Sequence, residues 1–309
     1  MNHKLEQIFT IVVCTYNGEQ TLSECLSSLQ QLQFLHRLVH SIIVVDNNST
    51  DHTKEIIHSF VKEDPIFKYS FEPKQGLSFA RRHAIFAVTP WVIYVDDDNI
   101  LDSQWLIHLK NTIQNNPYLG AINGAVIAKP HEPLNEEEQV ILKYMFRNLA
   151  CTHLQEPSSF DRKNQIPMGA GLCVKTKALH KIDAEGWLFL LGRCRSQLLS
   201  GEDTELVERI LSQGLSYECN FNMKLYHLIP RTRLQNEYVE KLILGLARGR
   251  VQYLLKYNSQ RFSIFLRRIK HSLILIIAYI ICSVYSRPHP LYWKYRIQYL
   301  QSHAFLKHL

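Results

Sequence analysis

Residues 91 to 102 read WVIYVDDDNILD, an apolar run from Trp91 to Val95 that ends in Asp96, Asp97 and Asp98, with Asp102 close behind. A short apolar run rich in β-branched and aromatic residues predicts a buried strand. The acids then emerge together at its C-terminal edge, where open α/β sheets bind ligands. Alternate side chains along a strand point the same way, so Asp96 and Asp98 can face one ion while Asp97 turns aside. Two hard oxygen ligands beside an open crevice suit Mg2+ or Mn2+ that is held in addition by substrate phosphates. The same residues also fit a solvated acidic turn with Asp102 capping the next helix, and the triplet alone does not choose between the two.

The elements that must position these acids follow from the flanking pattern. Ile8 to Cys14 predicts a strand, and its short apolar run is a strand rather than a signal peptide. Gln20 to Gln33 carries Leu22, Cys25, Leu26, Leu29 and Leu32 at helical spacing. Ile42 to Val45 is the next strand, and DNNSTD after it supplies turn formers and an N-cap for a helix through Ile56, Ile57 and Phe60. Phe67 to Phe71 reads as a third strand, and QGLSFARRHAIFAV as a glycine turn and a helix that leads into the acidic strand. Strands separated by helices of this length imply a parallel sheet with right-handed crossovers. Further on, Ala121 to Ala128 reads as a strand, Asn135 to Leu149 as a helix and EPSSFDRKNQ as a loop. PMGAGLCVKTKAL reads as small residues before a short strand and a helix start, and LLSGEDTELVERILSQG as a loop into an amphipathic helix ended by Gly214.

Acids at the edge of a parallel sheet serve dehydrogenases, nucleotidyltransferases, kinases and sugar transferases alike, so other motifs must decide. No GxGxxG follows the first strand and no GxxxxGK[ST] occurs, which removes the usual dinucleotide and P-loop cradles. Thr15, Tyr16 and Asn17 stand at the tip of the first strand and Asp46 at the tip of the second. An aromatic face beside a carboxylate can stack on a nucleobase and accept its N–H. Taken singly, Tyr16 also fits sheet packing and Asp46 a helix cap.

Together, IVVCTYNGE, VVDNNSTD, QGLSFARRHA, YVDDD, PMGAGLCVKTKAL and LLSGEDTEL occur in an order and spacing that resemble glycosyltransferase family 2, over about the first three quarters of the chain. The resemblance implies an α/β chain of the GT-A (nucleotide-diphospho-sugar transferase) fold, with a mostly parallel central sheet flanked by helices. It implies that Thr15, Tyr16, Asn17 and Asp46 hold the nucleoside and that Arg81 lies near the base and diphosphate. Asp96, Asp97 and Asp98 would then belong to the donor site, with Asp98 the direct metal ligand, Asp96 its companion and His227 a further ligand. Asp203 would be the catalytic base of an inverting displacement. Gly169, Ala170, Gly171 and Glu202 would lie on the acceptor side, the small residues leaving room for a sugar. Arg231 and Arg233 in LYHLIPRTR would be candidates for the diphosphate. The chain departs from the family pattern at Arg82, where an asparagine often follows the arginine.

Charge divides the chain. Of its 35 Lys and Arg, twelve lie in residues 241 to 309, which hold no Asp or Glu; the first 240 residues keep 23 bases against 28 acids. A basic tail on an acidic body points to an anionic surface as partner. Ser272 to Val284 is apolar for about 13 residues, short of the roughly 20 that span a bilayer. Basic groups precede that run, and the Tyr and Trp of PLYWKYRIQYL follow it. The tail therefore reads as helices lying on a membrane, with a helical lid on the catalytic domain as the alternative. Seven scattered cysteines, odd in number and never spaced as CxxC, fit neither a disulfide framework nor a zinc site and suggest a reducing compartment.

These observations predict a catalytic domain over 1–235 and a basic, helical, membrane-associated extension over 236–309. The expected activity is metal-dependent, inverting transfer of a sugar from a nucleotide-diphospho-sugar donor to a saccharide or lipid-linked acceptor, in surface polysaccharide or glycoconjugate synthesis. The expected cofactor is Mn2+ or Mg2+, and the expected location is cytoplasmic, peripheral at the inner face of the membrane. A sugar nucleotidyltransferase would want a Gly-rich first loop with a basic residue, which TYNGEQ lacks. A nucleic-acid-binding protein using the basic tail would leave the acidic triplet and Asp203 unexplained, so nucleic acid is not an expected partner.

Overall fold

β1 (Phe9–Thr15) is buried along all seven residues, which is why its sequence reads as an unbroken apolar run: a parallel strand covered on both faces has no solvent side to alternate toward. The computed structural model describes residues 6–155, 167–194, 198–257, 261–285 and 289–308. The loop predicted for EPSSFDRKNQ lies outside them. After β1 come α1 (Leu22–Gln30), α2 (Leu35–Leu38), β2 (Val39–Asp46), α3 (Thr53–Glu63), β3 (Phe67–Phe71), α4 (Leu77–Arg82), β4 (Trp91–Asp96), β5 (Asn99–Leu101) and α5 (Trp105–Asn115). Then follow β6 (Leu119–Pro130), α6 (Glu136–Met145), β7 (Cys173–Lys175), α7 (Thr176–Ala184), α8 (Glu202–Leu211), β8 (Ser216–Ile229), α9 (Asn236–Tyr257), α10 (Arg261–Val284) and α11 (Pro290–His308).

Among the described residues eight strands form one sheet in the order β3-β2-β1-β4-β7-β6-β8-β5. β3, β2, β1 and β4 run parallel, as the strand–helix alternation predicts. Their register sets Thr15 level with Asp46 and Cys14 level with Asp96, so the polar tips of three strands open on one edge. The other half is antiparallel where β4 meets β7, β7 meets β6, and β5 meets β8. Leu22, Cys25, Leu26 and Leu29 form the buried stripe of α1. Val12, Tyr94, Val174, Leu179, Leu206 and Ile210 belong to one buried cluster that joins the strands to α7 and α8.

The chain divides into two units. The sheet unit comprises Met1–Lys129, Ala150–Phe189 and Glu202–Leu228; the helical unit comprises Pro130–Leu149, Leu190–Gly201 and Ile229–Leu309. In the helical unit, α6 opens with a capping box: the Asn135 side chain accepts from the Glu138 N–H and the Glu138 carboxylate accepts from the Asn135 N–H. Gly245 and Gly249, one turn apart on α9, lie so close to the carbonyls of Leu198 and Ser200 that a Cβ at either would overlap them. α10 and α11 are antiparallel. The His271 ring stacks on Phe305 at 4.1 Å, whereas Cys282, eleven residues on, donates to the Tyr292 carbonyl near the start of α11. Phe305 closes a small core with Val251 and Leu254 of α9, and Arg296 pairs with Glu240 at 2.6 Å. No helix among the described residues is long and apolar enough to cross a membrane.

Candidate active site

β4 ends at Asp96, and Asp97 and Asp98 form a turn into β5. The alternation of side chains that would aim Asp96 and Asp98 at one ion therefore stops at Asp96, and the three carboxylates diverge. Asp96 faces Arg81, with 3.5 Å between Oδ1 and Nη2. Asp97 accepts from the Thr15 hydroxyl at 2.6 Å. Asp98 lies 3.2 Å from His227, between Oδ2 and Nε2. The cause is β5, a strand the sequence reading missed. Its Asn99 is in register with His227 of β8, which sets the histidine beside the residue preceding Asn99. Asn99, fully buried, staples the turn: its Oδ1 accepts from the Asp96 N–H and its Nδ2 donates to Asp98, both at 3.0 Å. Asp102, read as a possible helix cap, accepts from the Gln104 N–H at 2.9 Å just before α5.

Asp98 and His227 are 4% and 3% exposed. Burial pushes the imidazole pKa down, but the Asp98 carboxylate, with Cys151 on the other ring nitrogen, outweighs it and raises the pKa to about 10. A carboxylate oxygen and an imidazole nitrogen can both bind a cation such as Mn2+, the imidazole once the ion displaces the proton that it shares with Asp98. Adjacent ligands of an octahedral ion at about 2.1 Å lie about 3 Å apart, which matches the separation of this pair. Among the described residues no group of three His, Cys, Asp or Glu forms a candidate metal site. A two-ligand site suits an ion that takes its remaining oxygens from a substrate diphosphate and water.

Thr15 and Asp46 are buried at the parallel edge, and Tyr16 is 42% exposed. Asp46 accepts from the Ser49 N–H and the Tyr69 hydroxyl. Asn17 takes a positive φ of 52°, and its Oδ1 accepts from the Thr50 N–H, tying the first strand tip to the loop after the second. Between them Gly18 is obligatory by close approach: a Cβ there would overlap Thr15 Oγ1 and come within 2.5 Å of Asp97 Oδ2. These bonds fix the edge that carries Tyr16 and Asp97.

Arg81 is 3% exposed and stands between Asp96 and Glu202, the latter at 3.2 Å. Burial opposes its charge, but Asp96, Glu202 and Asp203 outweigh that and raise its pKa, so the guanidinium is a fixed cation. It is also why residue 169 is glycine: a Cβ at Gly169 would overlap the guanidinium. Asp203, in the first turn of α8, accepts from the Gly169 N–H at 3.0 Å and the Thr204 N–H at 2.8 Å while staying partly exposed. The structure thus gathers Arg81, Gly169, Glu202 and Asp203 into one cluster, with Ala170 and Gly171 on the same short segment. Arg82, the departure from the family pattern, pairs with Asp183 at 2.7 Å.

Asn123 is the other polar residue that sequence reasoning passed over. Buried in the apolar strand β6, it donates to the carbonyls of Met168 and Ala170 and accepts from the Met168 N–H, clamping the segment that presents Gly169. Its signal was a lone amide in the otherwise apolar run Ala121 to Ala128. Arg231 and Arg233 stand in a 3-10 turn of the helical unit, where Arg231 Nε donates to Glu138 at 2.5 Å.

Comparison with known proteins places this architecture. The model of glycosyl transferase family 2 matches residues 10–182, more than half of the chain. The poly-beta-1,6-N-acetyl-D-glucosamine synthase of Staphylococcus epidermidis is 27% identical over 124 residues, 40% of this chain and 29% of that protein. The glucosyl-dolichyl phosphate glucuronosyltransferase of Haloferax volcanii is 28% identical over 121 residues, 38% of each chain. The matched stretch thus spans under two fifths of either relative. In fold, the chain is similar to the mannosyltransferase PcManGT from Pyrobaculum calidifontis in complex with GDP-Man and Mn2+, with TM-score 0.55 and 15% identity over 97% of this chain and 69% of that one. It is similar to S. aureus TarS 1-349 in complex with UDP-GlcNAc, with TM-score 0.53 and 16% identity over 96% of this chain and 89% of that one. A sheet that is parallel from β3 to β4 and turns antiparallel where β4 meets β7, with the acidic turn at the end of β4, is the GT-A fold, and the chain belongs to glycosyl transferase family 2.

Proposed function

We propose that this glycosyltransferase is cation-dependent and inverting, and that it moves a sugar from a nucleotide-diphospho-sugar donor to a saccharide or lipid-linked acceptor in the synthesis of a surface polysaccharide or glycoconjugate. The observation that carries the reading is the buried Asp98–His227 pair, 3.2 Å apart at the end of the parallel strands. Of the relatives named above, one is a poly-beta-1,6-N-acetyl-D-glucosamine synthase and one a glucosyl-dolichyl phosphate glucuronosyltransferase, and two fold neighbours hold nucleotide sugars.

Tyr16 offers an exposed aromatic face to the base, Asn17 and Asp46 hold the loop around the nucleoside, and Thr15 keeps Asp97 turned from the ion site. Asp98 and His227 would hold the cation, while Asp96 is balanced by Arg81. When bound, the ion would supply Lewis-acid neutralisation of charge on the diphosphate. Asp203 takes the proton of the acceptor hydroxyl as that oxygen bonds to the anomeric carbon and the bond to the diphosphate breaks. One displacement inverts the centre. The Gly169 and Thr204 N–H groups orient the base, Arg81 holds Glu202 beside it, and the small residues Gly169, Ala170 and Gly171 leave room for the sugar. The enzyme works at the cytoplasmic face of a membrane, to which its basic C-terminal residues attach it.

The test is incubation with Mn2+ and a panel that includes UDP-GlcNAc and GDP-mannose, with nucleoside diphosphate release followed and the anomeric configuration of the product read by NMR. Cation-dependent release from one donor and an inverted product are expected. Release of pyrophosphate from a nucleoside triphosphate and a sugar phosphate, or a retained anomeric centre, would overturn the reading.

A further inference from the structure

α10 leaves apolar side chains in water along one line. Leu273, Ile276, Ile277, Ile280 and Val284 are 57%, 56%, 53%, 55% and 71% exposed. At about 100° per residue the five fall within an arc of about 100°, and Ala278, fully buried, lies on the opposite side. The inward side packs on α11 through His271, which meets Phe305 and Ser302, and through Cys282. The stripe is therefore the face that α11 leaves uncovered. It runs about 16 Å along the axis, about half the thickness of a bilayer's hydrocarbon core.

The charge of the C-terminal segment selects the occupant of the stripe. Residues 241–309 carry twelve Lys and Arg and no Asp or Glu, and Lys270, exposed, continues the face by one turn. Against a second copy in an isologous dimer, the same bases would meet themselves with no acid of this segment to pair with. Against anionic lipid headgroups, both features are favourable: the apolar line enters the headgroup–acyl boundary and the bases meet the phosphates.

We propose that the Leu273–Val284 stripe of α10 is a membrane-docking face that lies in the plane of an anionic leaflet. This rests on the membrane attachment stated above and names the surface that makes it.

Vesicle binding without any nucleotide sugar tests it, so the outcome does not depend on the transfer reaction. Full-length protein is sedimented with vesicles of phosphatidylcholine alone and with added phosphatidylglycerol, at low and high salt. The wild type should prefer the anionic vesicles and be partly released by salt. Ile276→Ser with Ile280→Ser should weaken the partition about tenfold or more, with an unchanged thermal transition. Ile277→Trp should show blue-shifted emission, quenched by brominated acyl chains. Salt-sensitive binding that the serine pair does not weaken would overturn the stripe and leave electrostatic attachment standing. No vesicle binding by the wild type would overturn both. Concentration-dependent dimerisation in solution that the serine pair abolishes would assign the face to a second copy instead.

Discussion

Arg81, Asp98, Glu202 and His227 of the sheet unit are each at most 4% exposed, whereas Leu273, Ile276, Ile277, Ile280 and Val284 of α10 are each more than half exposed. The two regions depart from ordinary burial in opposite directions, and each departure has a physical cost. Taking charges out of water is unfavourable unless partners compensate, and in the sheet unit every one of these groups has an opposite charge within 3.5 Å. Leaving branched aliphatic side chains in water forgoes the main driving force of folding, and α10 does so along a single line. The first arrangement fixes geometry for chemistry inside the molecule; the second keeps apolar surface for something outside it. Substitution should therefore cost stability in the first region and association in the second.

The sharpest break of that contrast is at Arg81. Arg81→Met removes the buried cation that pairs with both Asp96 and Glu202. Denaturant unfolding should show a loss of about 3–5 kcal/mol. A loss under 1 kcal/mol would mean that water already screens the cluster. Asp203→Asn comes next and acts on rate. Transfer at saturating acceptor should fall about 10²–10⁴-fold, while affinity for the nucleotide sugar stays within about twofold, because a base touches the acceptor and not the nucleotide. Near-normal turnover would make Asp203 a helix-terminal anchor for Gly169 and nothing more. Gly18→Ala forces a methyl against Thr15 and Asp97 and should cost about 1–3 kcal/mol, with weaker donor binding measured in parallel. Ile280→Ser should shift unfolding by no more than about 0.5 kcal/mol, as befits an exposed position.

The parallel half of the sheet was legible because its signals are local. β1 to β4 are short apolar runs separated by turn formers and by helical spacing, and β3 spans Phe67–Phe71 as the pattern implies. β5 was not legible. Three residues, Asn99–Leu101, carry too little pattern to announce a strand, and their partner β8 lies more than a hundred residues away. β8 itself mixes polar and apolar residues and is half-buried over its first part, which blurs its alternation beyond the short run after Gly214. That non-local pairing turns Asp98 toward His227. A sequence reading could name both residues but had no means to measure their separation, and it assigned Asp96 and Asp98 to one face of a strand that ends between them. Asn123 and Asn99, which hold the site in shape, carry no chemistry of their own and sit in no motif.

The central claim is that Asp98 and His227 together hold a cation that the donor also binds. Isothermal titration of UDP-GlcNAc and GDP-mannose into the wild type, Asp98→Asn and His227→Ala, each with and without Mn2+, tests it most directly. The account predicts that Mn2+ strengthens binding of one donor to the wild type and that either substitution removes this gain while leaving the Mn2+-free affinity close to wild type; because either one breaks the buried pair and lowers the thermal transition, binding is measured well below the transition of each variant. An undiminished Mn2+-dependent gain in both variants would contradict it.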